Sequence, residues 1–323
     1  MGSPRGFENK IVPAEGIRLI TIDSGAVKNQ SALTIVRTLF KLFLGVFKAI
    51  KIIREEKAAA VIGVGGYVSV PVGFAAFLTR TPLYLQEQNA SVGIANRVLG
   101  RLAKHVFLGF KQAEASFPKN RSLVTGNPIR KEFFDSKFSS YDPNSHSILV
   151  FGGSQGAKAI NDAVIRLLPE LSERFPRLSI VHQTGEKDAG RVQEAYRAHF
   201  TGTYQVLPFI TDMASVYARA SLVISRSGAL TVSELIQVGR PSILIPLPRK
   251  GQNDQTDNAS LMETHGVARV VPQGDGFEDR FHETFFEVFT PTQLALMVQN
   301  FSTLRGGNAL ASIGLHIEKD LST

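Results

Sequence analysis

The 323-residue chain contains no cysteine. Disulfide frameworks, thiolate metal sites and thiol nucleophiles are thereby excluded, and the composition suits a reducing compartment. No run of 18 uninterrupted apolar residues occurs, so no segment is expected to span a bilayer as a helix. The N-terminus also lacks the basic, apolar and small-residue succession of a signal peptide. There is no Gly-Lys-Ser or Gly-Lys-Thr phosphate loop, no dinucleotide-fingerprint spacing and no Asp-x-Asp motif, so NTP hydrolysis and NAD chemistry lose support. No internal repeat or low-complexity tract is visible.

What is present is apolar, basic and periodic. With 43% hydrophobic and 20% charged residues, the chain can build a proper core, most plausibly in two domains. Thirty-six Lys and Arg against 28 Asp and Glu give a net charge of +8, which attracts anions such as nucleotides, phospholipid headgroups or nucleic acid. No aromatic-basic recognition motif supports the last of these.

Short β-rich runs alternate with helical patterns. Buried strands are predicted in "AAAVIGVGG" (58–66), "PLYLQEQN" (82–89), "HVFLGF" (105–110), "SILVFGGS" (147–154), "LSIVHQTG" (178–185), "SLVISRSG" (221–228) and "SILIPLP" (242–248). This is the pattern of βαβ units and parallel sheets, with ligands at the carboxyl ends of the strands. The polar stretch 137–146 reads as a linker, giving domains over 1–138 and 147–305, with 139–146 between them and a terminal helix within 306–323.

The segment "TIVRTLFKLFLGVFKAIKIIREEK" (34–57) has helical periodicity. Arg37, Lys41, Lys48 and Lys51 share one arc; Leu39, Phe40, Leu42, Phe43, Val46, Phe47, Ile50 and Ile53 take the opposite one. The pattern suits a sheet-covering helix with a solvated basic back. It also allows Phe40, Phe43 and Phe47 to touch a bilayer while Lys41 and Lys48 attract anionic lipid.

Four strand-end loops carry candidate chemistry. "IGVGGYVS" (62–69), with Gly65, Gly66 and Tyr67, lets backbone N–H groups approach a phosphate or sugar, or serves only as a tight turn. "FGGSQGAKAIND" (151–162) places Ser154 and Gln155 at a Gly-rich turn before a helix. In "SRSGALTVSELIQVGRP" (225–241) a helix starts at Ala229, Leu230, Thr231, Val232 and Ser233, where free N–H groups favour a diphosphate. Glu234, one turn farther on, can accept hydrogen bonds from ribose hydroxyls, or serve the helix dipole alone. "GQNDQTDNA" (251–259) supplies Gln252, Asn253, Gln255 and Asn258, amides suited to sugar hydroxyls or simply to a solvated loop.

Taken in order, "QEQN" (86–89), "GNPIR" (126–130), "GGSQGA" (152–157), "PFITDM" (208–213), "SRSGALTVSE" (225–234) and "QTDNA" (255–259) closely resemble the MurG family across nearly the whole chain; "GVGGYVSVP" (63–71) is similar to the family's second glycine-rich loop. The resemblance implies a GT-B fold, two doubly wound Rossmann-like α/β domains facing across a cleft. It implies transfer of N-acetylglucosamine from UDP-GlcNAc to the 4-hydroxyl of the muramoyl sugar of lipid I, giving lipid II with inversion, at the cytoplasmic face of the bacterial inner membrane, without metal or other cofactor. In that reading Ile210 pairs with uracil through its main chain and Glu234 holds the ribose. Ser154 and the 229–231 helix start bind the diphosphate, while Asn89, Arg130 and Gln255 contact the donor or the sugar acceptor region. A UDP-sugar-binding protein without transfer, and a GT-B enzyme with another acceptor, are the alternatives.

Two departures from the family pattern generate expectations. Its Gly-Gly-Thr-Gly-Gly-His loop is not in this sequence, and no histidine precedes His105, which leaves Glu87 as a candidate base or organiser. "MGSPRGFENKIVPAEG" (1–16) reads as a strand-exit loop and short helix, native rather than a fusion remnant. It fits the end of the family's second strand, behind a βα unit of roughly 30 or more residues. Without that unit, an N-terminal domain with exposed apolar surface and a tendency to aggregate is expected.

Overall fold

The computed structural model describes residues 1–4, 8–22, 32–134, 138, 141–248, 253–304 and 306–322. Gln252 and the first part of the expected linker lie outside the described residues, as do residues 5–7 of the opening stretch. The chain divides into two compact units, Met1–Asn127 with Asn308–Thr323, and Pro128–Gly307.

The second unit holds six parallel strands, β5 (Ser147–Phe151), β6 (Ser179–Gln183), β7 (Thr203–Leu207), β8 (Leu222–Ser225), β9 (Ser242–Leu244) and β10 (Ala268–Val270), in the order β10-β9-β8-β5-β6-β7. The helices are α5 (Lys158–Arg174), α6 (Ala189–His199), α7 (Met213–Arg219), α8 (Ala229–Val238), α9 (Asp254–Thr264), α10 (Phe277–Val288) and α11 (Pro291–Asn300). One face of the sheet, with Ile148, Val150, Ile180 and Ile224, shares a core with Ile160, Val164 and Leu167 of α5 and Phe281 and Phe285 of α10. Each fully buried phenylalanine there stabilises the unit by roughly 1.5–3 kcal/mol. Strand order reverses between β5 and β8. That switch point lies between the carboxyl ends of the two strands, where open α/β sheets bind ligands.

The first unit carries β1 (Val61–Gly63), β2 (Leu83–Glu87), β3 (His105–Leu108) and β4 (Ser122–Val124), parallel and in sequence order. Its helices are α1 (Glu8–Ala14), α2 (Ala32–Glu55), α3 (Ser69–Leu78), α4 (Ile94–Leu99) and α12 (Ala309–Leu321). Ahead of α1, Gly2 forms a parallel bridge to Thr21, matching the strand-exit and short-helix pattern of the opening residues.

Helix α2 corrects the expected two-faced pattern. The side turned to the core is made of Gly45, Ala49, Ile52 and Ile53. A Cβ on Gly45 would lie 3.2 Å from Pro71 Cβ, so the small residue permits close approach to α3. Phe40, Phe43, Leu44 and Phe47 are all more than half exposed, on the same side as Lys51 and Arg54. Small residues win the inner face because α3 approaches closely there, and the bulky aromatics are left outside. No helix among the described residues is long and apolar enough to cross a membrane.

The unit boundary also differs from expectation, falling between Asn127 and Pro128 rather than in 139–146. Composition makes 137–146 look like a linker, but aromatic anchors hold this region to the second unit. Phe133 and Phe138 are buried, Phe133 meets Tyr217 edge-on at 5.7 Å, and Tyr141 donates its hydroxyl to Ser221 O at 2.9 Å. The fully buried Arg240 lies under the Tyr141 ring and donates to Tyr217 O and Ala218 O, two carbonyls in the last turn of α7.

Helix α12 returns to the first unit. Its Ile313 closes a small core with Tyr84 and Phe107, and Asp320 receives the Tyr84 hydroxyl at 3.1 Å and the Lys104 ammonium at 3.2 Å.

Candidate active site

At the end of β5 the chain turns through Gly152–Gly156 into α5, whose N-cap, Ala157, offers no capping side chain. Ser154 and Gln155 stand exposed on this turn. Two glycines decide its seat. Gly156 has φ +71°, and a Cβ there would lie 1.8 Å from Thr184 O; Gly185 has φ +80°, and its Cβ would lie 2.2 Å from Gln155 O. The two backbone segments therefore touch without side chains between them. Gln183 adds a tie, donating from Nε2 to Gly153 O at 2.8 Å.

The neighbouring strand β8 ends in Ser225 and leads through Arg226, Ser227 and Gly228 into α8. Gly228 supplies no side-chain cap, so the first-turn N–H groups of Ala229, Leu230 and Thr231 have no capping side chain. Ser227 is fully buried and occupied: its hydroxyl donates to Gln255 O at 2.8 Å, and Asn258 Nδ2 reaches Ser227 O at 3.3 Å. The β5 turn and the α8 terminus thus flank the switch point, presenting backbone donors and the positive ends of two helices.

Glu234 sits in the second turn of α8. Burial pushes its pKa up to about 7, while nearby Arg130 and the Tyr217 hydroxyl, 3.4 Å from Oε2, pull the other way. Arg130 stacks over Phe133 at 5.1 Å and lines, with Thr211, Asp212, Met213 and Ala214, a cavity of about 270 Å³ next to the buried Ile210. Glu234, Arg130 and the 210–214 segment are therefore brought together, as the sequence suggests. Gln255 is partly committed, its Oε1 accepting from Leu247 N at 2.9 Å.

Sequence reasoning missed Arg226 and Phe209. Arg226 donates from Nη1 to Ile245 O, Pro246 O and Gln273 Oε1, and burial draws its pKa down to about 10. Phe209 stands 55% exposed beside Ile210. An aromatic inside "PFITDM" is the signal that could have found it.

In the first unit, Glu87, Asn89 and the loop Gly65, Gly66 and Tyr67 cluster at the ends of β1 and β2. Gln88 ties the two loops together, donating from Nε2 to Val64 O at 3.2 Å. Glu87 is 2% exposed, and both carboxylate oxygens are engaged. Oε1 accepts from Asn89 N at 3.0 Å; Oε2 accepts from Asn96 Nδ2 at 3.0 Å and Gly93 N at 3.2 Å. This geometry supports the organiser reading of Glu87, whose two oxygens hold donors of the 88–96 loop. Asn96 was not singled out by the sequence, since nothing local marks a buried asparagine on α4, while Asn127, inside the quoted "GNPIR", joins Gln86 Nε2 to Gln88 O. Glu87→Gln is expected to lower unit stability by about 1–3 kcal/mol, because an amide NH₂ would face backbone donors. Thermal unfolding checks it; an unchanged Tm with lost turnover would return Glu87 to the role of base.

Residues 1–108 match the glycosyltransferase family 28 N-terminal domain and residues 147–303 the glycosyltransferase family 28 C-terminal domain. A protein of Syntrophotalea carbinolica named UDP-N-acetylglucosamine--N-acetylmuramyl-(pentapeptide) pyrophosphoryl-undecaprenol N-acetylglucosamine transferase is 42% identical over 273 residues, 84% of this chain and 76% of that protein. A protein of the same name from Geobacter sp. (strain M21) is 36% identical over 317 residues, 97% of this chain and 85% of that one. The crystal structure of Acinetobacter baumannii MurG superimposes with a TM-score of 0.79 at 33% identity, covering 98% of this chain and 89% of that one. A UDP-GlcNAc 2-epimerase from Neisseria meningitidis shares the fold alone, with a TM-score of 0.63 at 14% identity over 99% of this chain and 90% of its own. With both family domains matched and identities of this size across most of its length, the chain belongs to glycosyltransferase family 28 and, within it, to the MurG family of GT-B enzymes.

Proposed function

We propose that the chain transfers GlcNAc from UDP-GlcNAc to the 4-hydroxyl of the muramoyl sugar of lipid I, forming lipid II. The observation that carries this reading is the pairing of the uncapped α8 terminus with the Gly-rich β5 turn at the switch point, and Glu234 one turn into α8. The diphosphate sits against the backbone donors of Ala229–Thr231 and the 153–156 turn, with Ser154 and Gln155 at its edge. Glu234 receives the ribose hydroxyls, and the Ile210 main chain meets the base. Arg130 and Gln255 lie toward the sugar, Val232 and Ser233 continue the α8 wall, and Asn89 with the 65–67 loop serves the acceptor side.

The acceptor hydroxyl attacks the anomeric carbon from the face opposite UDP. As the new C–O bond forms the hydroxyl proton passes to a water, the bond from the anomeric carbon to the β-phosphate oxygen breaks, and UDP leaves with the electron pair. Helix-terminal N–H groups stabilise the charge that develops on it. Buried Gln86 Oε1 and Asn96 Oδ1 have no donor among the described residues, which suits an enclosed water at this end of the first unit. Calorimetric titration with UDP-GlcNAc, UDP and uridine tests the donor assignment. Affinity should fall by about tenfold or more on passing from UDP to uridine, since charge-assisted bonds are lost. Equal affinities would remove the diphosphate from the α8 terminus.

The exposed aromatic stripe of α2 supports attachment to a membrane surface at the cytoplasmic face of the inner membrane. Phe40, Phe43 and Phe47 insert at the headgroup level while Lys51 and Arg54, on the same side of the helix, meet anionic lipid; Lys48, expected in that role, instead donates to Thr21 O at 2.9 Å. Phe43→Glu with Phe47→Glu should weaken co-sedimentation with anionic vesicles by about tenfold per residue. Unchanged co-sedimentation would place the contact elsewhere.

A further inference from the structure

Behind the β5 turn lies a buried polar chain that donor contacts alone do not explain. His182 on β6 is fully buried between α5 and α6. Its Nδ1 is 3.1 Å from the Tyr196 hydroxyl and its Nε2 is 3.1 Å from Asn161 Oδ1. Asn161 in turn donates from Nδ2 to Thr184 O at 3.1 Å and to Asp188 Oδ2 at 2.6 Å. Asp188 is clamped by Arg191 through two contacts of 2.7 Å, and Arg191 also reaches Asp162.

This chain of bonds has one consistent set of directions. The Asn161 amide nitrogen faces two acceptors, so its oxygen must be the atom toward His182 and must receive a proton. His182 therefore carries its hydrogen on Nε2, and Nδ1 accepts from Tyr196. Burial, which drives the imidazole pKa down to about 3, keeps the ring neutral in this tautomer, with Asp188 opposing only weakly. The carbonyl at the end of the chain, Thr184 O, is the atom against which Gly156 closes. Its position sets where the Gly-rich turn sits.

We propose that His182 is a positioning residue for donor binding: its Nε2–H fixes the Asn161 carboxamide, which holds the Thr184 carbonyl and thereby seats the 153–156 turn against the donor diphosphate. The inference rests on the reading of that turn as the diphosphate site. A purely apolar residue at 182 would leave Asn161 Oδ1 buried and unpaired and free the carboxamide to rotate.

The test compares two polar replacements in the full chain. His182→Gln puts an amide near the Nε2 position and can still donate to Asn161; His182→Asn reaches only the Nδ1 position and keeps the Tyr196 side. Affinity for UDP-GlcNAc should fall by about tenfold in the Asn variant and stay within about threefold of wild type in the Gln variant. Uridine, which lacks phosphates, should bind all three proteins alike, and the Asn variant should raise KM with kcat nearly unchanged. Tyr196→Phe, which removes the other bond of the ring, should lower Tm yet preserve UDP-GlcNAc affinity. Equal affinities of the Gln and Asn variants, or a loss in Tyr196→Phe as large as in His182→Asn, would overturn the positioning role alone. Failure of the wild-type chain to bind UDP-GlcNAc more tightly than uridine would overturn the diphosphate reading, and this inference with it.

Discussion

Gly156→Ala is expected to abolish measurable UDP-GlcNAc binding and to lower the stability of the second unit by on the order of 3 kcal/mol or more. The residue has φ +71°, which an alanine adopts at a cost, and the added Cβ would lie 1.8 Å from Thr184 O. Nothing flexible stands there to give way, because the obstacle is backbone held by Asn161. The turn must move off the 184–185 segment, taking with it the N–H groups proposed to face the diphosphate. For a unit of this size each kcal/mol is worth roughly 2–4 °C in Tm. Thermal unfolding with a parallel titration checks both halves. A Gly153→Ala control has φ +87° but open space around its Cβ, so it should cost only the backbone strain. Equal losses in the two variants would show that the close contact with Thr184 is not what seats the turn.

Glu234 gives the second large effect, and its pH dependence has two opposite signs. In the free protein burial holds the carboxyl near pKa 7, above the ordinary value of 4.5. Stability is full below pH 4.5, where folded and unfolded chains are both protonated. It declines as pH rises toward 7, where the unfolded chain has lost the proton and the folded one must follow, and it is flat above. The loss is on the order of 3 kcal/mol. Ligand binding runs the other way. If ribose hydroxyls donate to the carboxylate as proposed, UDP-GlcNAc affinity should rise about tenfold between pH 6 and pH 8 and the complex should release a proton. Glu234→Gln should flatten both profiles and stabilise the ligand-free protein at pH 8. Glu234→Ala should weaken UDP-GlcNAc on the order of 100-fold through the loss of two charge-assisted bonds. Titrations in buffers of different ionisation heat measure the proton; a wild-type profile flat from pH 6 to pH 8 would separate Glu234 from the ribose.

Much of this site was legible in the sequence because backbone geometry writes itself in residue types. Strand, glycine turn and helix appear in order at 147–162 and 221–238, and their pairing at the switch point follows from the parallel topology. The strands β4, β7 and β10 escaped for physical reasons. β4 and β10 are three residues long, and β7 is an edge strand whose Thr203 and Gln205 face solvent, leaving no continuous apolar run. The interior face of α2 was misread because hydropathy favours phenylalanine inside, whereas close helix packing selected Gly45 and Ala49. Glu87 shows the same limit at the site. A carboxylate's type is visible in "QEQN", but the donors that occupy it, Asn96 on α4 and two backbone N–H groups, come from the folded loop. The boundary at Asn127 was hidden because Phe133 and Tyr141 anchor a stretch whose composition is that of a linker.

The proposed reaction moves GlcNAc from a nucleotide at the β5–β8 switch point to a lipid-linked muramoyl sugar. Its most direct test is a turnover assay with UDP-GlcNAc and a lipid I analogue in anionic vesicles, following UDP release and the mass of the acceptor together. One UDP should be released for each N-acetylhexosamine gained by the acceptor, with inversion at the new linkage and loss of both signals in Gly156→Ala. UDP-GlcNAc bound at the Glu234 site with no acceptor-dependent UDP release would contradict it.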